Sequence, residues 1–246
     1  MLQGVPSGNI MKYSADLHIH SALSPCADNE MTPNNIVNMA LLKGLDIIAV
    51  TDHNSAANIQ ALLKCAEGTG LLVVPGMELM TSEEVHIVCL FPDAESALQM
   101  QDKVYEALPG LKNREEIFGQ QLLIDENDSI TGSVNQLLIT AAAINLEEAS
   151  DLVEGYGGAV IPAHIDRNSF SLISNLGMIP EKPVYKYLEL SRNCDMYEYR
   201  LKNPQLDKYK FICSSDAHVL GDILEREAFI DLEQLSIECL LKKFTP

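Results

Sequence analysis

The chain has 246 residues, 47% of them hydrophobic, enough for one sizeable core and no demand for two domains. Thirty-five acidic residues against seventeen basic ones give a formal charge of −18, which argues against a nucleic-acid groove or an anionic membrane as the main partner. Six cysteines (Cys26, Cys65, Cys89, Cys194, Cys213, Cys239) lie scattered with no CxxC pair. Met1 to Tyr13 lacks an apolar leader segment, and no run approaches the ~18 apolar residues of a membrane span. Reduced, mostly buried thiols in a cytoplasmic protein are the economical expectation.

Along the chain, an apolar segment around Tyr13 to His18 precedes a helix signal: Thr32 as N-cap, Pro33 in the first turn, then Ile36, Val37, Ala40 and Leu41, with Gly44 as stop. Leu45 to Thr51 is a short apolar run without period-2 alternation, as suits a strand buried on both faces. A helix from about Ser55 to Glu67, a strand at Leu71 to Pro75 and another at Val85 to Leu90 follow. From residue 93 to 156 the rhythm changes to a helix near Glu95 to Ala107, a polar hairpin at Gln120 to Ile130 and a long helical region from Ser133. This segment reads as an inserted helical subdomain within a single domain spanning residues 1–246. Strands return at Ala159 to Pro162, Tyr187 to Leu190, Phe211 to Ser214 and Ala228 to Asp231, before a closing helix at Ser236 to Phe244. Strands alternating with helices favour a parallel α/β barrel over an open sheet.

All six histidines fall at strand ends or, for His86, just inside one. In a parallel barrel such residues converge on one face. Asp16-Leu17-His18-Ile19-His20 ends the first strand with two imidazoles spaced to point the same way and share a metal. Thr51-Asp52-His53, Gly76-Met77-Glu78, Glu83-Glu84-Val85-His86, Pro162-Ala163-His164 and Ser214-Ser215-Asp216-Ala217-His218 accompany the later strands, with Gly76 read as permitting a tight turn. Carboxylate and imidazole together suit zinc, manganese or iron.

The ordered series DLHIH, TDH, GME, the isolated His86, PAH and SDAH resembles the polymerase-and-histidinol-phosphatase (PHP) family of metal-dependent phosphoesterases, over about residues 12 to 231. That resemblance implies a distorted (β/α)7 TIM-like barrel holding two or three divalent ions. It assigns His18, His20, Glu78 and Asp216 to one ion, and Glu78, His86 and His164 to a second, with Glu78 bridging. His53 and His218 go to a third, together with a residue from the loop after HxH. There Asp28 is preferred over Cys26, because carboxylate is the family's habit. Asp16 and Asp52 either orient the neighbouring rings or cap backbone groups.

Grouped cations would lower the pKa of a bound water toward ~7 and neutralise charge on a transferring phosphoryl group. Arg167 and Arg192 are candidate phosphate donors. The inserted segment, joining two ligands of one ion, is expected to overhang the site. The leading expectation is hydrolysis of a small phosphomonoester, nucleotide-like or histidinol-phosphate-like, with a small phosphorylated metabolite rather than nucleic acid or membrane as partner. Amidohydrolase chemistry and a non-catalytic metal-binding regulatory module are the alternatives.

Overall fold

The computed structural model describes residues 10–245. Most of the stretch on which the leaderless reading rests, residues 1–9, lies outside the described residues. The chain runs β1 (Met11–Ile19), α1 (Pro33–Leu42), β2 (Ile47–Val50), α2 (Ile59–Ala66), β3 (Leu72–Met80), β4 (His86–Leu90), α3 (Ala94–Ala107) and α4 (Glu115–Phe118). It continues β5 (Leu122–Ile124), β6 (Ile130–Ser133), α5 (Leu146–Gly155), β7 (Ala159–Pro162), α6 (Leu172–Leu176) and β8 (Tyr187–Ser191). The last elements are α7 (Met196–Lys202), β9 (Lys210–Ser214), β10 (Phe229–Leu232) and α8 (Ile237–Phe244). Caps set several boundaries: Thr32 Oγ1 accepts from Asn35 N, Asp93 Oδ1 from Ser96 N, and Ser236 Oγ from Cys239 N.

A six-stranded sheet has the order β10-β1-β2-β3-β4-β7, with β8 and β9 paired separately in parallel. Its strands alternate apolar residues to two buried clusters. Ile48 and Val73 pack with α1, α2 and α3, whereas Ile47, Ala49, Val74 and Val88 pack with Leu240 and Phe244 of α8. The sheet curls, and the β8–β9 pair meets it beside β7 and beside β1. Ile165 N donates to Glu189 O at 2.9 Å beside β7, and an isolated bridge joins Ile19 to Ala217 beside β1.

The regular parallel barrel is not what forms. β1, β2 and β3 are mutually parallel, as expected, but β4 runs antiparallel to both β3 and β7, and β10 antiparallel to β1. Residues 81–85 between β3 and β4 are too few for the crossover that a parallel pair needs, so the chain reverses there, with Glu84 at φ 57°. Gly76 makes no tight turn. It lies inside β3, where an added Cβ would sit 2.8 Å from Thr51 Cγ2 and 2.9 Å from Cys89 O, so its lack of a side chain lets three strands approach.

Between α3 and α5 the structure also departs from expectation. Residues 134–145 form a strap rather than a helix, and α5 starts only at Leu146, where the Asn145 side chain accepts from Glu148 N. Asn54 Nδ2 holds the strap through Leu138 O (2.6 Å) and Thr140 O (2.8 Å), and Asn58 brackets the β5–β6 hairpin through Leu122 O and Ile124 N. The segment therefore rests on the loops that follow β1 and β2. Gly119, at φ 98°, comes so close to Pro25 O that a Cβ would lie 2.0 Å away.

All six cysteines are unpaired, but only Cys89 is buried, Cys26 is exposed, and the rest are half-buried, so the expectation of mostly buried thiols fails. No helix among the described residues is long and apolar enough to cross a membrane.

Candidate metal centre

Glu78 is 1% exposed and stands among five imidazoles. Its Oε1 lies 3.2 Å from His18 Nε2, 2.8 Å from His86 Nδ1 and 3.2 Å from His164 Nε2. Its Oε2 lies 2.8 Å from His53 Nδ1 and 3.5 Å from His20 Nε2. Asp216 closes the other side, with Oδ1 2.9 Å from His20 Nε2 and 3.4 Å from His18 Nε2. Apart from His164 Nε2 with Glu78 Oε1, these short distances are not aligned hydrogen bonds. Glu78 Oε2 and Asp216 Oδ1 are buried without an aligned donor, and the Nε2 atoms of His18 and His20 face one another at 3.3 Å. Buried oxygens without partners and lone-pair nitrogens turned toward common points are what a cation site requires, so this donor set fits divalent metal. Three groups bring donors within reach of a single ion: His18, His20 and Glu78; His53, Glu78 and His86; and His20, His53 and His218. His53 thus joins two groups, where the resemblance gave it one.

The outer nitrogens are fixed as well. His18 Nδ1 is 2.9 Å from Glu189 Oε1, a carboxylate 1% exposed on β8, which also accepts from His164 N at 3.1 Å. His20 Nδ1 meets Ser24 Oγ at 2.9 Å, and Ser24 Oγ donates to Asp52 Oδ1 at 2.6 Å. Asp52 also takes both Ser21 N and Ser21 Oγ, so it orients His20 through serine rather than by contact. Asp16 takes the capping role: its oxygens accept from Ser215 N and Leu224 N. His218 Nδ1 donates to Asp216 O at 2.8 Å, leaving Nε2 for the site. His164 and Asp216 have φ of 29° and 51°, a costly left-handed backbone held at the point where their side chains turn inward.

Charge follows this geometry. Burial alone would push the Glu78 carboxyl up, yet His86, His18 and His53 with the bond from His164 hold it well below its usual range. Burial opposes a charge on His18, but Glu189, Glu78 and Asp216 raise it well above the ordinary value. His20, two residues away, is driven down by burial and by His53 and His218.

Two expected positions fall elsewhere. Asp28 is exposed, and its Oδ1 accepts from Glu30 N at 2.8 Å. Cys26 follows the turn at Ser24 and Pro25, and the influence of His53 and His218 brings its thiol down to about 7 against the opposing effect of burial. Arg167 stands at the site, with Nη1 2.5 Å from Asp216 Oδ2 and its side chain 43% exposed. Arg192 does not. Its Nη1 donates to Asp222 O at 2.6 Å, and it lines, with Leu17, Phe211 and Phe229, a cavity of about 270 Å³ between β1, β9 and β10. Glu189 and Ser24 were missed by sequence reasoning. A lone acid inside the apolar run Tyr187-Leu188-Glu189-Leu190 is the signal that could have found Glu189, since an unpaired buried carboxylate is costly.

Comparison with known proteins gives the same answer as the histidine pattern: the PHP domain profile matches residues 16–165, more than half of the chain. The chain belongs to the PHP domain family. PHP membership sets it among metal-dependent hydrolases and bears out the resemblance read from the motifs. A 5'-3' exoribonuclease of Haemophilus influenzae is 31% identical over 99 residues, covering 37% of this chain and 35% of that protein. The fold is shared with a lesion-specific endonuclease from Pyrococcus furiosus, at TM-score 0.68 and 20% identity over 94% of this chain and 55% of that one. A putative metal-dependent phosphoesterase from Bifidobacterium adolescentis matches at TM-score 0.61 and 19% identity, over 88% and 92% of the two chains. The matches thus span about a third of the exoribonuclease and about half of the endonuclease.

These relatives overturn the exclusion of nucleic acid as main partner, since two of them are nucleases by name. The exclusion failed because a net charge of −18 is summed over the whole surface. Cations held by the histidine cluster, with Arg167 beside it, would reverse the potential locally, where a phosphate would meet it.

Proposed function

We propose that this PHP protein is a metal-dependent phosphoesterase acting on phosphate esters of nucleic acid or of its nucleotide fragments. The observation that carries the proposal is Glu78, whose two carboxylate oxygens are each approached by imidazole nitrogens from different strands, as a ligand bridging two cations requires. His18, His20, Glu78 and Asp216 would hold one ion, and Glu78, His86 and His164 a second. His53 and His218 would hold a third with Cys26, the thiolate replacing the expected Asp28 carboxylate and shifting preference toward zinc or iron. Divalent ions there supply positive charge to a phosphoryl group and acidify water.

The chain's own residues do the rest. Glu189 and the Ser24–Asp52 pair keep the His18 and His20 rings turned so that Nε2 faces inward. Arg167, held by Asp216 at one nitrogen, offers its remaining N–H groups as a fork for phosphate oxygens. The names of the nuclease relatives and the family itself support a nucleic-acid ester over amide or lactam substrates.

The test is metal analysis of the purified protein, followed by assays of the zinc-, manganese- and iron-loaded forms on single-stranded oligonucleotides and on mononucleotides. Bound metal with phosphate or nucleotide release from oligonucleotides is expected. Release from mononucleotides alone would restrict the substrate to small phosphomonoesters. Metal-loaded protein inactive on every phosphate ester would overturn the reading.

A further inference from the structure

The loop between β7 and α6 carries a feature that metal binding does not explain. Phe170 is 41% exposed, although it is a large apolar ring. One face lies on the His86 imidazole, with ring centroids 5.0 Å apart and planes inclined by only 12°. Its φ is 56°, a conformation that is costly for a bulky residue and persists only where the surroundings impose it. Two bonds do so: His86 N donates to Phe170 O at 2.8 Å, and Ser171 Oγ donates to Arg167 O at 2.8 Å, closing the loop on itself. The loop spans the site. Arg167 contacts Asp216 at one end and Phe170 covers His86 at the other.

Resting on the nucleic-acid reading above, we propose that Phe170 is a stacking platform for a nucleobase of the substrate, set beside the metal centre so that Arg167 receives phosphate while the ring receives the base. Shielding His86 needs only the inner face of the ring. The exposed outer face, held flat by a strained backbone, is what a base-stacking aromatic presents. Every base has a π-face, so the platform contributes affinity without reading sequence.

Paired substrates test this: an oligonucleotide with an intact terminal base, and the same strand with an abasic sugar at that position. Wild-type protein should prefer the base-bearing strand about tenfold in kcat/KM, within the range that alanine substitution assigns to base–aromatic stacking. Phe170→Ala and Phe170→Leu should both abolish the preference, mainly through KM. The leucine variant keeps an apolar cover on His86, and metal content measured on each preparation reports whether that cover matters. Phe170→Trp should keep the preference. Because the chain contains no tryptophan, its emission reports directly, and the base-bearing strand should quench it where the abasic strand does not. A wild-type enzyme that cleaves both strands equally would overturn the platform and leave the phosphoesterase reading intact. Retention of the preference in Phe170→Leu would also overturn it. Inactivity on both strands, with metal bound, would remove the phosphoesterase reading and the platform with it.

Discussion

The two sides of the metal centre are built differently. On the β1–β3 side, His18, His20, Asp52 and Glu78 are 0–2% exposed, and serine and carboxylate groups fix their outer atoms. On the β7–β9 side, Asp216 is tied to the half-exposed Arg167, and the His218 side chain is 28% exposed and held by a neighbouring main-chain carbonyl. Residues 167–170 lie open to solvent. In the proposed enzyme the dry side, to which the 1% exposed His164 and Glu189 also belong, would position cations, and the open side would meet what they act upon.

The sharpest way to break this contrast is at its rigid centre. Glu78→Gln removes a charge that five imidazoles surround, so metal content should fall in at least two positions. Activity should drop by more than the roughly 10²–10³-fold that loss of one electrostatic group costs. Elemental analysis beside a kcat measurement checks both, and a metal-replete, active variant would remove Glu78 from the bridge. Next comes Glu189→Gln, which tests whether a late strand serves the rigid half. Metal affinity should weaken about 10–100-fold, the usual effect of losing a carboxylate behind a ligating histidine, and competition with a chelator reads it out. The smallest effect belongs to Arg192→Ala. Its guanidinium serves Asp222 rather than the site, so kcat and KM should stay within about twofold, the range of surface substitutions. A large loss there would extend the substrate surface past β9.

Much of the rigid half was legible in the sequence, because it obeys local rules. The HxH spacing in an extended strand predicts that both rings face one way, and the structure brings them together. His53, Glu78, His164 and Asp216 could be placed together on paper because strand ends in an α/β fold converge, but His86, at the start of β4, came only from the family resemblance. The direction of β4 could not be read from periodicity, since an apolar run looks the same whichever way it points. The short link at residues 81–85 emerges only once β3 runs on to Met80, past the expected stop at Pro75. Cys26 and Asp28 lie two residues apart in one loop, and the choice between them depends on how a turn at Pro25 aims each side chain. Glu189 lies 171 residues from the histidine it supports, beyond any spacing rule. Arg192 shows the reverse failure: its position just past β8 was right for the site, but Asp222 captured it.

The hairpin of β3 and β4 places Glu78 and His86 on one short stretch of chain, whereas Asp16 and Ser215, which hydrogen-bond beside the site, are 199 residues apart. A cation shared by His18, His20 and Asp216 would therefore staple β1 to the end of β9 and close a loop of most of the chain. Loop closure of that span costs the unfolded chain entropy that a bound ion offsets only in the folded one. Ions bound at this centre would in that sense be fasteners of the tertiary structure as well as reagents, and the stability of the barrel-like sheet would rise with their occupancy.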